Sequence, residues 1–102
     1  MNVESRIAGL FGVAGKRALV TGATSGIGRL IAQGLAEAGV EVWAVSRKAD
    51  EVAALAAELS ALTPSHGIAA DVTSDEGLAA IKAALGDLPL HILVNNAGIN
   101  VD

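Results

Sequence analysis

Two hydrophobic periodicities alternate along this chain of 102 residues. Short apolar runs rich in branched residues predict four buried strands, at Ala18–Thr21, Val40–Val45, Ile68–Ala70 and Ile92–Val94. Between these runs, apolar residues recur at the spacing of one buried helix face. The order β-α-β-α-β-α-β is typical of parallel strands joined by right-handed crossovers. We therefore expect an α/β fold, a Rossmann-type doubly wound parallel sheet in partial form, with strand order 3-2-1-4.

Each of the three predicted helices has an apolar stripe that should face the sheet. The stripes are Ile27, Leu30, Ile31, Gly34, Leu35 and Ala38 in the first helix, Val52, Leu55, Ala56, Leu59 and Leu62 in the second, and Leu78, Ile81 and Leu85 in the third. Gly39 is placed to cap the end of the first helix, Pro64 to stop the second, and Ser74 to cap the start of the third.

Length, charge and composition exclude several classes of protein. A chain of 102 residues makes one compact domain or part of a larger one. The formal net charge is -4 without a run of Lys or Arg, so nucleic acid is not expected as a partner. No segment has the roughly 18 apolar residues of a membrane span, and glycines interrupt the apolar residues 7–14, unlike a signal peptide. The sequence has no Cys, which excludes disulfides, and the expected compartment is the cytoplasm.

The segment Thr21–Gly28 joins the first predicted strand to the first predicted helix and is rich in glycine. Gly22 permits a tight turn, Gly26 lets backbone approach a pyrophosphate, and Gly28 lets the helix lie close to the strand. The free N–H groups and dipole of the helix N-terminus then bind the anion. The Thr24-Ser25 hydroxyls donate to phosphate in this interpretation, or only shape the turn. Glycines needed for steric reasons alone are the alternative, which the position between strand and helix disfavours.

Polar residues also follow the third and fourth predicted strands, as Asp71-Val72 and as the phrase Asn95-Asn96-Ala97-Gly98. With the Gly-x-x-x-Gly-x-Gly spacing, they make the chain resemble the short-chain dehydrogenase/reductase family over nearly its whole length. The resemblance implies that Asp71 hydrogen-bonds the adenine amino group. It implies also that the Asn-Asn-Ala-Gly phrase supports the sheet and borders the adenine-side ribose and the nicotinamide site.

These polar residues have a simpler explanation as well. Asp71 is acceptable as a turn residue, and Asn95-Asn96 as turn formers that cap a strand. Their common position favours the site, because all of them follow the carboxyl ends of predicted parallel strands, where open α/β sheets bind ligands.

The choice of cofactor is predicted from Ser46-Arg47-Lys48, just after the second strand. An acidic residue at the position of Ser46 would bind the ribose 2′-OH of NAD and repel a 2′-phosphate. Because Ser46 carries no charge and Arg47 can form a forked contact with phosphate, we expect NADP, with NAD as the other possibility. A solvated basic pair at the start of a helix is the alternative interpretation.

The resemblance further implies an NAD(P)-dependent oxidoreductase that transfers hydride between nicotinamide and a small alcohol or ketone, and that is a homo-oligomer when full length. Residues 1–102 would be the truncated, N-terminal part of its single NAD(P)-binding domain. The family's catalytic Ser and Tyr-x-x-x-Lys follow the Asn-Asn-Ala-Gly phrase, and this chain has no Tyr. We therefore expect the chain alone to be inactive. A non-catalytic nucleotide-binding module and an inactive gene fragment are the alternatives.

No catalytic residue and no metal site is predicted, and His66, His91 and Trp43 are expected to be structural. The predicted cofactor-binding residues are Gly22, Thr24, Ser25, Gly26, Ile27, Gly28, Ser46, Arg47, Lys48, Asp71, Val72, Asn95, Ala97 and Gly98.

Overall fold

The computed structural model of the chain describes residues 12–96. Strands and helices alternate in the predicted order. They are β1 (Arg17–Thr21), α1 (Gly26–Glu37), β2 (Glu41–Ser46), α2 (Ala49–Leu59), β3 (Ser65–Ala69), α3 (Asp75–Leu85) and β4 (Ile92–Asn95). The third strand therefore begins earlier than the apolar run predicted, and Ala70 lies just beyond it. Within residues 12–96, no helix is long and apolar enough to cross a membrane.

All four strands are parallel and lie in the order β3-β2-β1-β4, which confirms the predicted order 3-2-1-4. In this register Val20 of β1 pairs with Ala44 of β2 on one side and with Val94 of β4 on the other. The chain moves outward from β1 to β3 and then returns to the other side of β1. That reversal creates a topological switch point at the carboxyl end of β1, where ligands bind in open α/β sheets.

Apolar side chains cover both faces of the sheet, as a doubly wound fold requires. On one face, Val20 and Val42 of the sheet join small and aliphatic residues of α1 and α2 in a buried cluster. On the other face, Leu19, Trp43 and Val45 pack with Ile81 of α3. The central strands β1 and β2 are buried almost throughout because helices cover them from both sides.

The buried face of α1 differs from the prediction. Gly28, Ala32 and Ala36 are its buried residues, whereas the Ile27 and Leu30 side chains are 62% and 70% exposed. Gly34 is exposed too, and Leu35 packs only partly against the core. Small residues line the contact because α1 approaches the sheet closely. A Cβ atom added to Gly28 would lie 2.1 Å from the carbonyl oxygen of Gly22.

The other two helices follow their predicted stripes more closely. In α2, Val52, Leu55 and Leu59 are buried as expected and Ala56 is half-buried. The helix ends at Leu59, so Leu62 lies beyond it and is exposed, contrary to the prediction. In α3, Ile81 is buried and Leu85 half-buried, but Leu78 is exposed.

The predicted caps are present. Ser74 accepts a hydrogen bond from the Gly77 N–H at 2.9 Å and begins α3. Gly39, with a φ of 87°, directly follows Ala38, the C-cap residue of α1, and its N–H donates to the Ala36 carbonyl.

A polar cluster joins the amino ends of three strands. The Glu41 carboxylate accepts from Trp43 Nε1 at 3.2 Å, lies 3.0 Å from His66 Nε2 and 3.2 Å from Arg17 Nε. The rings of Trp43 and His66 stack with centroids 4.0 Å apart. His91 Nδ1 accepts the backbone N–H of Arg17. Trp43 and both histidines therefore have the structural contacts expected of them.

Candidate cofactor-binding site

A cleft of about 240 Å³ opens at the carboxyl edge of the sheet. Three segments of predicted cofactor-binding residues line it. They are the glycine loop (Gly22, Thr24, Ser25), the end of β2 (Ser46, Arg47, Lys48) and the turn after β3 (Asp71, Val72). Gly26, Ile27 and Gly28 form the first turn of α1, directly after the loop. Two further predicted site residues, Ala97 and Gly98, lie outside the described residues.

The glycine loop is held against the sheet by backbone geometry. Gly22 has a φ of 61°, a left-handed conformation that favours glycine, and so turns the chain sharply at the end of β1. The next residue, Ala23, is buried and donates its N–H to the Val45 carbonyl at 3.0 Å. This bond fixes the loop to the end of β2 before α1 begins.

Ser25 is the N-cap of α1, and its hydroxyl is fully engaged. The Oγ atom donates to the Gly22 carbonyl at 2.8 Å and accepts the Gly28 N–H at 3.3 Å. It also accepts from Asn96 Nδ2 at 2.8 Å. A hydroxyl has one hydrogen, which here is given to Gly22. Ser25 therefore shapes the turn, and its contribution to phosphate binding stays a prediction.

Asn96 also lines the cleft, although it is not among the predicted cofactor-binding residues. Its side chain is buried, and Nδ2 donates to the Gly22 carbonyl at 3.2 Å as well as to Ser25. The bond ties the glycine loop to the chain after β4. The neighbouring residue, Asn95, accepts from Thr21 Oγ1 at 3.0 Å and so joins β4 to β1. The pair Asn95-Asn96 was the sequence feature that could have indicated this role. The two side chains have different hydrogen-bond partners.

At the end of β2, Ser46 is buried while the two basic residues are exposed. Ser46 Oγ lies 2.7 Å from Thr24 Oγ1 and accepts the Lys48 N–H at 3.1 Å. The Lys48 ammonium lies 3.8 Å from Glu51 in an exposed pair of little energy. Within residues 12–96 the Arg47 guanidinium forms no salt bridge, so its charge is available to a ligand in the cleft.

After β3, Asp71 closes a tight turn. Its Oδ1 atom accepts the Thr73 hydroxyl at 2.6 Å and the Thr73 N–H at 2.9 Å. The Thr73 side-chain hydrogen bond, then the backbone one, and the nearby Arg47 charge hold the pKa of Asp71 below its usual value of 3.8. The carboxylate is thus ionised at neutral pH. The turn explanation for Asp71 is correct for Oδ1, and Oδ2 accepts none of these bonds.

Val72 completes this side of the cleft. It packs against the buried cluster of Leu19, Trp43, Val45 and Ile81. An apolar wall and an ionised carboxylate therefore stand side by side, an arrangement that suits a flat ring with an amino group at its edge.

The comparisons with known proteins agree with this geometry. A profile of the family described as short chain dehydrogenase matches residues 16–102. The Rhamnolipids biosynthesis 3-oxoacyl-[acyl-carrier-protein] reductase of Pseudomonas aeruginosa is 49% identical over 90 residues, covering 86% of this chain and 35% of that protein. The gluconate 5-dehydrogenase of Gluconobacter oxydans is 44% identical over 96 residues, covering 88% of this chain and 36% of that protein.

Solved structures give the same result. The RhlG/NADP active-site complex of Pseudomonas aeruginosa superposes with a TM-score of 0.74 at 48% identity, covering 82% of this chain and 35% of that one. The L-sorbose reductase of Gluconobacter frateurii, complexed with NADPH and L-sorbose, superposes with a TM-score of 0.79 at 36% identity, covering 84% of this chain and 34% of that one. The chain spans about a third of the length of these relatives. It belongs to the short chain dehydrogenase family.

Proposed function

We propose that this chain is the cofactor-binding part of an NADP-dependent oxidoreductase, whose whole protein transfers hydride between nicotinamide and a small alcohol or ketone. One observation carries the proposal. The glycine loop, the basic residues after β2 and the ionised Asp71 line a single cleft at the switch point of a doubly wound sheet. Each of the three matches a different part of an adenine dinucleotide.

The glycine loop and the start of α1 fit the pyrophosphate. The helix has 12 residues, and its free N–H groups and dipole favour an anion at the N-terminus. A Cβ atom built on Gly26 would meet no atom of residues 12–96 within 4 Å apart from its chain neighbours and the nearby helix backbone, so Gly26 is open to close approach. Gly28, in contrast, has its space filled by the protein itself. The two glycines therefore support different parts of the site.

The end of β2 fits a 2′-phosphate better than an unmodified ribose. Ser46 brings no negative charge, and next to it Arg47 offers a guanidinium that forms no salt bridge with residues 12–96. A hydrogen bond from such a charged group contributes roughly 1.5 to 3 kcal/mol. The relatives of known structure support the same choice, since one was solved as an NADP complex and another with NADPH.

Asp71 and Val72 fit the adenine ring. The amino group at the ring edge is a donor, and Oδ2 of the ionised Asp71 is an acceptor that the turn leaves available. Val72 supplies apolar surface for the ring. This pair binds and orients the nucleotide and takes no part in the chemistry.

Nicotinamide supplies the hydride chemistry when the cofactor is bound. The residues of this chain hold the adenine half and fix its direction along the cleft. The sequence has no Tyr, so the phenol of the Tyr-x-x-x-Lys pattern is not available to move the hydroxyl proton. We expect the chain by itself to bind the nucleotide without turnover.

The binding test uses adenosine 2′,5′-bisphosphate, which carries the adenine and the 2′-phosphate but no nicotinamide. Adenosine 5′-monophosphate is the matched ligand without the 2′-phosphate. Ligand-observed NMR titration of the chain should give the lower Kd for the bisphosphate. Failure of both nucleotides to bind would refute a cofactor-binding function, and equal affinity would refute the choice of NADP.

The finer properties of the whole protein belong to the same proposal. We place it in the cytoplasm as a homo-oligomer without nucleic-acid or membrane partners. The net charge of -4 and the absence of Cys support the compartment and the lack of a nucleic-acid partner. Cell fractionation tests the compartment and a sizing column the oligomeric state, both on the full-length protein.

A further inference from the structure

Two hydroxyl groups, one from the glycine loop and one from the end of β2, meet at the cleft. Thr24 Oγ1 of the glycine loop lies 2.7 Å from Ser46 Oγ at the end of β2. The same Ser46 Oγ accepts the backbone N–H of Lys48 at 3.1 Å. We call this chain of two hydroxyls and one N–H the hydroxyl bridge. It connects the loop that faces the pyrophosphate to the segment that carries the basic side chains.

The hydroxyl bridge anchors the backbone on both sides of Arg47. Ser46 is 8% exposed, and its carbonyl accepts the Ala70 N–H at 3.0 Å. The N–H of Lys48 is held by the Ser46 hydroxyl. Arg47 therefore has a fixed backbone and an exposed side chain. Backbone conformation determines which rotamers a side chain can use, so the bridge sets the directions open to the guanidinium.

The hydrogens of the bridge leave one donor for a ligand. Thr24 and Ser46 have one O–H hydrogen each, and their mutual contact uses one of the two. Whichever hydroxyl donates, the other keeps a hydrogen. Hydrogen bonds in a chain polarise and strengthen one another. An anion that accepts the remaining hydrogen thus tightens the hold on Lys48 N–H as well.

We propose that the hydroxyl bridge positions Arg47, and so couples the glycine loop to recognition of the 2′-phosphate. Thr24 and Ser46 are positioning residues in this respect, because they act on selectivity through the Arg47 backbone. The influence of the Arg47 charge on Asp71 agrees with a guanidinium directed toward the cleft. The inference rests on the proposed function, since it concerns how that same site distinguishes two nucleotides.

A double-mutant cycle tests the coupling in the full chain. Thr24→Val removes the loop hydroxyl at nearly constant shape, and Arg47→Ala removes the guanidinium. The measured quantity is the ratio of Kd values for adenosine 5′-monophosphate and adenosine 2′,5′-bisphosphate. We expect Thr24→Val to lower this ratio about threefold to tenfold, as for the loss of about one hydrogen bond. In the Arg47→Ala background, the same substitution should leave the ratio unchanged.

Two further variants separate positioning from a general loss of structure. Thr24→Ser keeps the hydroxyl and should keep the ratio. Thr63→Val removes the hydroxyl of another buried Thr and should change neither Kd. Thr63 lies in the turn before β3, at the amino ends of the strands, whereas the cleft lies at their carboxyl ends. If Thr24→Val does not fold, Ser46→Ala breaks the bridge from the side of β2 and should give the same cycle.

Several results would overturn the inference. An equal fall of the ratio with and without Arg47 would mean that the hydroxyl contacts the ligand by itself. An equal loss of affinity for both nucleotides would mean that the bridge only stabilises the loop. Absence of binding by the unmodified chain would instead overturn the proposed function and this inference with it.

Discussion

Arg47 lines the cleft, and its guanidinium forms no salt bridge with residues 12–96. Arg47→Ala should therefore weaken the binding of adenosine 2′,5′-bisphosphate by about tenfold to a hundredfold, the range for one charge-assisted contact. Adenosine 5′-monophosphate should be almost unaffected, because it lacks the 2′-phosphate. NMR titration measures both, with Lys82→Ala in α3 as a control for the loss of one positive charge. Equal losses for the two nucleotides would contradict the assignment of Arg47.

We predict that Ser46 occupies the position where an acidic residue would select NAD. In Ser46→Asp, a carboxylate oxygen can still accept the Lys48 N–H, but its charge repels a 2′-phosphate. The variant should bind the bisphosphate more weakly and the monophosphate at least as well, which reverses the preference. Ser60→Asp adds the same charge after α2 and should change neither Kd. A retained preference for the bisphosphate in Ser46→Asp would count against this prediction.

The lowered pKa of Asp71 depends first on the Thr73 hydroxyl. Thr73→Val removes that hydrogen bond and keeps the backbone one, so the pKa should rise toward its usual value of 3.8. A carboxylate with a lowered pKa stabilises the fold above its usual pKa, and the contribution is lost as the pH falls through the folded value. Observing the carboxyl carbon of Asp71 by NMR during an acid titration measures the change. An unchanged midpoint would mean that the hydroxyl does not hold the carboxylate.

The sequence predicted which residues lie at the carboxyl ends of the strands, but it did not predict which residues they hydrogen-bond. The three segments that line the cleft were identified because the carboxyl ends of parallel strands meet at one edge. The contacts of Asn96 with Gly22 and Ser25 join positions more than 70 residues apart, and no local pattern encodes such a contact. The Thr24–Ser46 contact was missed for the same reason.

At the level of the elements, α1 shows why periodicity located the helix but not its buried face. Large apolar residues, Ile27 and Leu30, lie on one stripe of the helix surface. Small residues lie at helical spacing on the neighbouring stripe, namely Gly28, Ala32 and Ala36. A pattern based on hydrophobicity favours the large residues. The structure favours the small ones, because they allow the helix to reach the turn at Gly22. In α2 the large residues Val52, Leu55 and Leu59 were also the buried ones, so the prediction was correct within the helix and wrong only for Leu62, which lies beyond its end.

The close approach of α1 makes Gly28 sensitive to substitution. A Cβ atom there would lie 2.1 Å from the Gly22 carbonyl oxygen and 2.7 Å from Asn96 Nδ2, so backbone must move. Gly28→Ala should lower the free energy of unfolding by about 1 to 3 kcal/mol, the usual effect of overpacking. Urea denaturation followed by circular dichroism measures it.

Gly34→Ala is the matched control in the same helix. Within the described part of the chain, a Cβ atom at Gly34 meets nothing within 4 Å outside its own helix backbone, so this variant should gain about 0.5 to 1 kcal/mol from helix propensity. Two variants of equal stability would show that α1 does not lie against the glycine loop as described.

On the scale of the whole molecule, the order of strands was predictable because right-handed crossovers leave few arrangements for this alternation of elements. The lengths of the strands were harder to predict, because an apolar run marks only the buried part of a strand. β3 has a mixed burial pattern and begins at Ser65, before its apolar run. Its polar start is stabilised by pairing with β2 and by the stacking of His66 on Trp43.

The strand β4 is an edge of the described sheet, and its Leu93 side chain is 63% exposed. Unpaired N–H and C=O groups beside exposed apolar side chains can pair with another chain. We therefore expect the purified chain of 102 residues to associate, and a sizing column to show species larger than a monomer. Leu93→Lys should shift the profile toward the monomer. Leu62→Lys, which adds the same charge at another exposed leucine, should not.

None of these species should reduce a ketone with NADPH. Charge added to β4 improves solubility, but it supplies no group that can move a proton, and the sequence contains no Tyr for that purpose. A spectrophotometric assay of NADPH oxidation with a panel of ketones, run on both Lys variants and the unmodified chain, measures turnover. A monomer that consumes NADPH in proportion to added ketone would show that an acid or base for the reaction lies within this sequence, and that the division between binding and catalysis proposed for the family member is wrong.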